Sequence, residues 1–128
     1  MLSAQYAAYE TVQTTTADPA RIVLLLFDGA ARFLRQAEGG LARGETAAFA
    51  YPLSRAHAII AELSSALDRD GGGEVAANLA RLYDFMLRHL TQGLVRRSAA
   101  HVGEVLDLLA ELRGGFEQAV RTTGHGSA

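Results

Sequence analysis

The stretch GGEVAANLARLYDFMLRHL, from Gly72 to Leu90, decides the fold class of this chain. After its two glycines, apolar residues recur every three or four positions, which is typical of an amphipathic α-helix. We expect this helix, the third in the chain, to run from about Gly73 to Val95. Its predicted buried stripe consists of Val75, Leu79, Leu82, Met86, Leu90 and Leu94. A different face carries Asn78, Arg81, Arg88 and Gln92.

A first helix is predicted from about Pro19 to Glu38. Asp18 can accept hydrogen bonds from the free amides of the first turn, and proline suits the first helical position because no N–H is needed there. The pair Gly39-Gly40 follows and is predicted to end the helix.

The second and fourth helices complete the pattern. Helix 2 is predicted over roughly Thr46 to Arg69, where Pro52 must either kink the helix or mark its true start. Ser98 is predicted to cap helix 4, which we expect to end near Arg121.

Four helices joined by short links predict an all-α protein, an antiparallel four-helix bundle with a mobile N-terminal arm. We expect a single domain over residues 1–128, because a chain of this length suits one hydrophobic core. Within it, residues 1–17 form the arm, about 18–122 form the bundle, and 123–128 form a disordered tail.

Composition excludes several classes of chemistry. The chain has no cysteine, so it holds no disulfide and no thiol nucleophile, and it has no lysine, which excludes Schiff-base chemistry and a Walker lysine. The formal net charge of -2 does not suggest a nucleic-acid partner. No secretory signal is visible, and the apolar run from Ile22 to Phe27 is too short to cross a bilayer. We therefore expect a soluble cytoplasmic protein with no membrane insertion.

Helices 1 and 3 carry more apolar side chains than a minimal bundle buries, since a bundle helix buries only about half of its circumference. Helix 3 adds Tyr83, Phe85 and Leu87 outside its predicted buried stripe, and helix 1 has only a narrow polar strip. The members of that strip are Arg21, Asp28, Arg32 and Arg35. The surplus must pack against the arm, another subunit or a partner.

The histidines offer little chemistry. A di-metal bundle uses Glu-x-x-His on two helices, and this motif is absent from the chain, so we expect no metal site. His89 is followed four positions later by Gly93, as in histidine phosphotransfer domains, which are also four-helix bundles. Gln92 stands where such domains have lysine. A phosphotransfer signalling domain using His89 therefore stays open as an alternative function, and so does a structural bundle that dimerises through helix 1.

The order and spacing of several short motifs resemble the FliS family of flagellar export chaperones from Tyr6 to about Val120. The matching segments are Tyr6 to Tyr9 with Val12, Asp18-Pro19, Leu25 to Ala30, His57 to Leu63 with Leu67-Asp68, Gly72 to Met86, Glu104-Val105 and Phe116. Two positions depart from the family. Phe116 stands where the family usually has tryptophan, and Gly93-Leu94 replaces a usual asparagine, which leaves the end of helix 3 open.

The resemblance implies a non-enzymatic chaperone without cofactor. It would bind the disordered C-terminal segment of flagellin in the cytosol, prevent premature polymerisation and deliver flagellin to the export gate. A homodimer is expected only for the empty protein. The predicted partner-binding residues are Tyr6, Tyr9, Leu26, Ile59, Leu63, Asn78, Leu82, Tyr83 and Met86. Most of them would line a groove between helices 2 and 3, with the arm as a lid over it.

Overall fold

The computed structural model describes the backbone of residues 18–127 and the side chains of residues 18–122. This part of the chain forms four α-helices and no strand. They are α1 (Pro19–Ala42), α2 (Thr46–Ser65), α3 (Gly73–Arg96) and α4 (Ala99–Ser127). Each helix packs against the next, and α4 returns to pack against α1. The predicted all-α four-helix bundle is confirmed, while the N-terminal arm lies outside the described residues.

A single apolar core fills the space between the helices, and none of its described side chains is polar or charged apart from the hydroxyl of a tyrosine. Its largest fully buried side chains are Phe49, Leu34, Leu53, Ile60, Met86, Leu90, Leu109, Val102 and Val105. Each helix therefore contributes a stripe to one shared cluster, as ridge packing of four amphipathic helices requires. No described helix is long and apolar enough to span a bilayer.

The buried stripe of α3 is displaced from the predicted one. Val75, predicted to be buried, is 70% exposed, whereas Tyr83, predicted to lie outside the stripe, is only 4% exposed. Leu82 is half-buried at the edge. The residues that face the core are Ala76, Tyr83, Met86, Leu90 and Gly93. The prediction was wrong at these positions because Leu82 and Tyr83 are both large and apolar, so helical spacing alone does not choose between them.

The pair Gly39-Gly40 does not end α1, which continues to Ala42. Gly40 is instead a point of close approach, since a Cβ atom there would lie 2.6 Å from the amide nitrogen of Phe49 and closer still to the carbonyl of Ala48. Pro52 lies inside α2 without ending it. Because proline has no N–H, it cannot donate to the Ala48 carbonyl four residues earlier, and that carbonyl is the one against which Gly40 packs.

Two predicted helix starts are confirmed by their caps. The backbone amide of Arg21 donates to Asp18 Oδ1 at 2.8 Å, and Pro19 occupies the first turn of α1. The amide of His101 donates to Ser98 Oγ at 3.2 Å, which caps α4. Local side-chain chemistry therefore determines both starts.

Two helix ends differ from prediction. The second helix ends at Ser65 instead of near Arg69, and the amide of Gly71 in the following loop donates to Asp68 Oδ1 at 2.9 Å. An Asx-type turn thus competes with further helix. The fourth helix does not end near Arg121, because its backbone is helical through Ser127 with no proline to stop it. Residues 123–127 are therefore helical where a tail was predicted.

The third helix ends in a Schellman motif. The end of this helix is therefore well defined, although Gly93-Leu94 replaces the asparagine that is usual in the family. The amide of Ser98 donates to the carbonyl of Gly93 at 2.9 Å, and Arg97 adopts the left-handed conformation with φ 52° and ψ 53°. A Cβ atom on Gly93 would lie 2.9 Å from the Cβ of His101. Glycine at this position lets α4 fold back after a link of residues 97–98.

We predict that Gly40→Ala destabilises the bundle by about 2 kcal/mol or more, because the added methyl group meets the backbone of α2 and forces the helices apart. A matched control is Gly114→Ala on α4, where a Cβ atom would have open space. That change should stabilise by about 0.5–1 kcal/mol, the usual difference between glycine and alanine within a helix. Chemical unfolding followed by circular dichroism measures both. Equal effects of the two substitutions would contradict the close approach.

We predict a loss of stability in alkali that depends on Tyr83. Burial raises the pKa of its phenol above the ordinary value of 10.0, so the folded state keeps a proton that the unfolded state loses. The free energy of unfolding should be unaffected below pH 10.0 and should fall as pH rises from there through the raised pKa, by at most about 1.4 kcal/mol per pH unit. Tyr83→Phe should flatten this decline in the free energy of unfolding, which urea unfolding at several pH values measures. Tyr51→Phe is the control and should leave the decline unchanged, because Tyr51 is 66% exposed.

Candidate partner-binding surface

The predicted contact residues are not equally accessible. Leu63, Tyr83 and Met86 are 5%, 4% and 0% exposed and belong to the core. Leu26, Ile59 and Leu82 are half-buried, and Asn78 is exposed. Tyr6 and Tyr9 lie outside the described residues.

The three buried residues hold helices together, so a partner could reach them only after the bundle opens. Between α2 and α3 there remains a cavity of about 210 Å³, and the residues lining it are Leu53, Ser54, His57, Thr91 and Leu94. None of these was predicted to contact a partner. A recess thus lies between the second and third helices, but the residues that line it differ from the predicted contact residues.

A separate exposed row of side chains lies on α3. Val75, Asn78, Leu82 and Phe85 are spaced by three or four residues and so share one helix face, which we call the α3 stripe. Val75 and Phe85 are 70% and 39% exposed, so both present apolar area to solvent. Asn78 adds an amide within the row, and its Oδ1 accepts a hydrogen bond from the Arg81 guanidinium. The sequence predicted Asn78 and Leu82 as contact residues, but it also placed Leu82, together with Val75, in the buried stripe.

Aromatic stacking fixes the end of the α3 stripe that is nearer the α3–α4 turn. The ring of Phe85 stacks on His89 with centroids 4.7 Å apart, and His89 stacks in turn on His101 of α4 at 4.2 Å. His89 Nε2 lies 2.5 Å from Glu104 Oε1, also on α4. The orientation of Phe85 therefore depends on the pairing of α3 with α4.

The same contacts bear on the phosphotransfer alternative. A phosphoacceptor histidine needs an open ring nitrogen, but the His89 side chain is only 16% exposed and its Nε2 faces the carboxylate of Glu104. A phosphate group at this nitrogen would meet that negative charge directly. The geometry of His89 fits helix packing rather than phosphoryl transfer.

The surplus apolar surface expected on helix 1 is smaller than the sequence suggested, because α4 covers part of it. Phe27 packs against Phe116 with centroids 6.2 Å apart, so Phe116 has a packing role. Beside them, Arg113 donates from Nε and Nη2 to the two carboxylate oxygens of Asp28, at 2.5 and 3.3 Å. This contact raises the pKa of the Arg113 guanidinium. Leu25 remains 54% exposed on the outer side of α1.

The described side chains offer no cluster suited to metal binding. No group of three histidine, aspartate or glutamate residues among residues 18–122 lies close enough together to hold a metal ion. What the described surface presents is apolar area and hydrogen-bonding groups along a helix, which suits recognition of another polypeptide.

Comparison with known proteins identifies the family of this chain. A family model described as flagellar protein FliS matches residues 2–123. The chain is 38% identical over 104 residues to the flagellar secretion chaperone FliS of Salmonella typhimurium, covering 80% of this chain and 77% of the relative. It is 34% identical over 105 residues to FliSB of Pseudomonas aeruginosa, covering 82% and 83% of the two chains. It is 30% identical over 125 residues to FliS of Bacillus subtilis, covering 95% and 92%. With nearly its whole length matched, this chain belongs to the FliS family of flagellar secretion chaperones.

Proposed function

We propose that this protein is a cytoplasmic export chaperone that binds the C-terminal segment of flagellin, prevents its premature polymerisation and delivers it to the flagellar export gate. The role is non-enzymatic and needs no cofactor. The observation that carries the proposal is the α3 stripe, an apolar row left exposed on a bundle whose core is otherwise closed. Membership of the FliS family supports flagellin as the occupant.

The physical basis is the folding of a disordered segment on an exposed helix face. Such a segment must bury enough apolar area to offset the entropy that it loses on ordering. Val75 and Phe85 offer that area at two positions ten residues apart, about 15 Å along the helix axis. Asn78 lies between them and can both donate to and accept from a peptide backbone. An amphipathic helix laid along α3 would use all three.

The other predicted contact residues fall into two groups according to how deeply they are buried. Leu26, Ile59 and Leu82 are half-buried, so their exposed edges can extend the contact without any change in the bundle. Leu63, Tyr83 and Met86 are buried, and they support the contact surface by holding α2 and α3 in place. We therefore assign these three a structural role in binding.

We predict that Val75→Ser weakens binding of a flagellin C-terminal peptide by roughly tenfold, because it removes apolar area worth about 1.5 kcal/mol or more when buried. Val95→Ser is the matched control. Val95 is 78% exposed on the same helix, but twenty residues at about 100° each place it on nearly the opposite face. Titration calorimetry measures both affinities, and a thermal melt checks the fold.

Asn78→Ala in the same assay separates contact from packing. A contact role requires weaker peptide binding at unchanged melting temperature, since Asn78 is exposed. If Val75→Ser and Val95→Ser weaken binding equally, or neither does, the α3 stripe is not the binding surface.

We predict that deleting residues 1–17, which include Tyr6 and Tyr9, tightens peptide binding and increases self-association. The reason is the lid arrangement that the sequence predicts: an arm in that position would compete with the partner and cover a surface that would otherwise attract a second copy. Calorimetry gives the affinity, and sedimentation gives the oligomeric state of the empty protein. Identical values for the full and truncated chains would exclude the lid.

A further inference from the structure

A second recess lies on the outer face of the α1–α2 pair. It has a volume of about 460 Å³ and runs between the last turns of α1 and the first turns of α2. Its lining residues are Arg35, Gln36, Gly39, Arg43, Ala47, Ala48, Tyr51 and Pro52. We call it the arginine groove. All of its lining residues belong to α1, α2 or the turn between them, and none belongs to the α3 stripe.

Small residues create the groove. Gly39, Ala47 and Ala48 carry little or no side chain, and the tight contact at Gly40 brings the two helices together without filling the space outside it. The floor formed by these residues is therefore apolar, and the recess is open to solvent. An open floor of this kind suits an extended peptide better than a compact small molecule.

The rims of the groove are cationic. Arg43 lies over Gly39, where a Cβ atom would be 3.3 Å from Nη1, and its Nε donates to Glu45 Oε1 at 2.7 Å. Glu45 thus accepts a hydrogen bond only from Nε of Arg43, so both terminal nitrogens of Arg43 can donate to a ligand. Arg35 is exposed, and no ion pair to it is found among the described residues. Tyr51, 66% exposed, adds a ring beside them.

The geometry points to the arginine groove as a second docking site, for an acidic peptide segment of a protein partner. Arginine binds carboxylates through paired N–H donors, so two arginines select two acidic side chains. Arg35 and Arg43 are eight residues apart, about 12 Å along α1. An extended chain covers that distance in about four residues. The occupant should therefore carry acidic residues at positions i and i+4, with small or apolar residues between them over the glycine and alanine floor.

The probe is a fluorescent nonapeptide in which two glutamates flank Ala-Val-Ala, compared with the same peptide carrying two glutamines. Fluorescence anisotropy of the full chain should show binding of the acidic peptide that weakens with salt. The double variant Arg35→Gln, Arg43→Gln should lose affinity by about tenfold or more, because both charge-assisted contacts are removed. Arg69→Gln is the control, since Arg69 lies in the loop at the other end of α2. This change removes one charge that is farther from the groove than the screening length, so affinity should stay within about twofold.

A steric variant distinguishes the groove from general attraction between charges. Ala47→Leu fills the exposed floor while every charge is kept, and it should abolish binding of the acidic peptide; thermal melts check that each variant is folded. Equal binding of the acidic and glutamine peptides, no binding at all, or full affinity in the Ala47→Leu protein would overturn the proposal. Displacement of the probe by a flagellin C-terminal peptide would also overturn it, because the groove would then belong to the flagellin site.

Discussion

The close approach of α1 and α2 at Gly40 is the constraint on which the rest of the bundle depends. Backbone atoms of Ala48 and Phe49 occupy the space that a side chain at Gly40 would need. This contact fixes the rotation of each helix about its axis, so that Leu34 and Leu53 both point into the core. Next to this contact, Gly39, Ala47 and Ala48 carry too little side chain to fill the recess that they line. Small residues on α1 and α2 thus permit both the close packing of the pair and the open groove beside it.

Features that depend on local chemistry could be predicted from the sequence. Asp18 and Ser98 cap their helices because a side-chain oxygen reaches an amide three residues later, whatever the tertiary structure. The four-helix fold follows equally directly from apolar spacing. The role of glycine could not be predicted in this way, since glycine serves both to end a helix and to admit a neighbouring backbone. Gly40 admits the backbone of α2 and Gly93 admits the Cβ of His101 on α4, and only the position of the facing helix reveals these contacts.

The candidate surface was predictable only in part for a similar reason. Helical spacing places Val75 and Leu82 on one face of α3 and Tyr83 about 100° away, but it does not say which face turns inward. The neighbouring helices decide this, and they bury Tyr83 while Val75 stays exposed. His89 illustrates the same limit. Its sequence context resembled a phosphotransfer site, but the environment supplied by Glu104 and His101 on α4 gives it a packing role.

With the α3 stripe as the proposed binding surface, the arrangement of α3 separates the free energy of folding from that of partner binding. Tyr83 and Met86 stabilise the bundle from the inner side of this helix, whereas Val75 and Asn78 lie outside and contribute little to the core. Contacts made by the outer residues can be gained and lost without opening the bundle, as reversible capture requires. Phe85 couples the outer surface of α3 to the packing of the bundle, because its ring stacks on His89 and, through His89, on His101 of α4. A partner that moved Phe85 would therefore act on the α3–α4 pairing as well as on the surface.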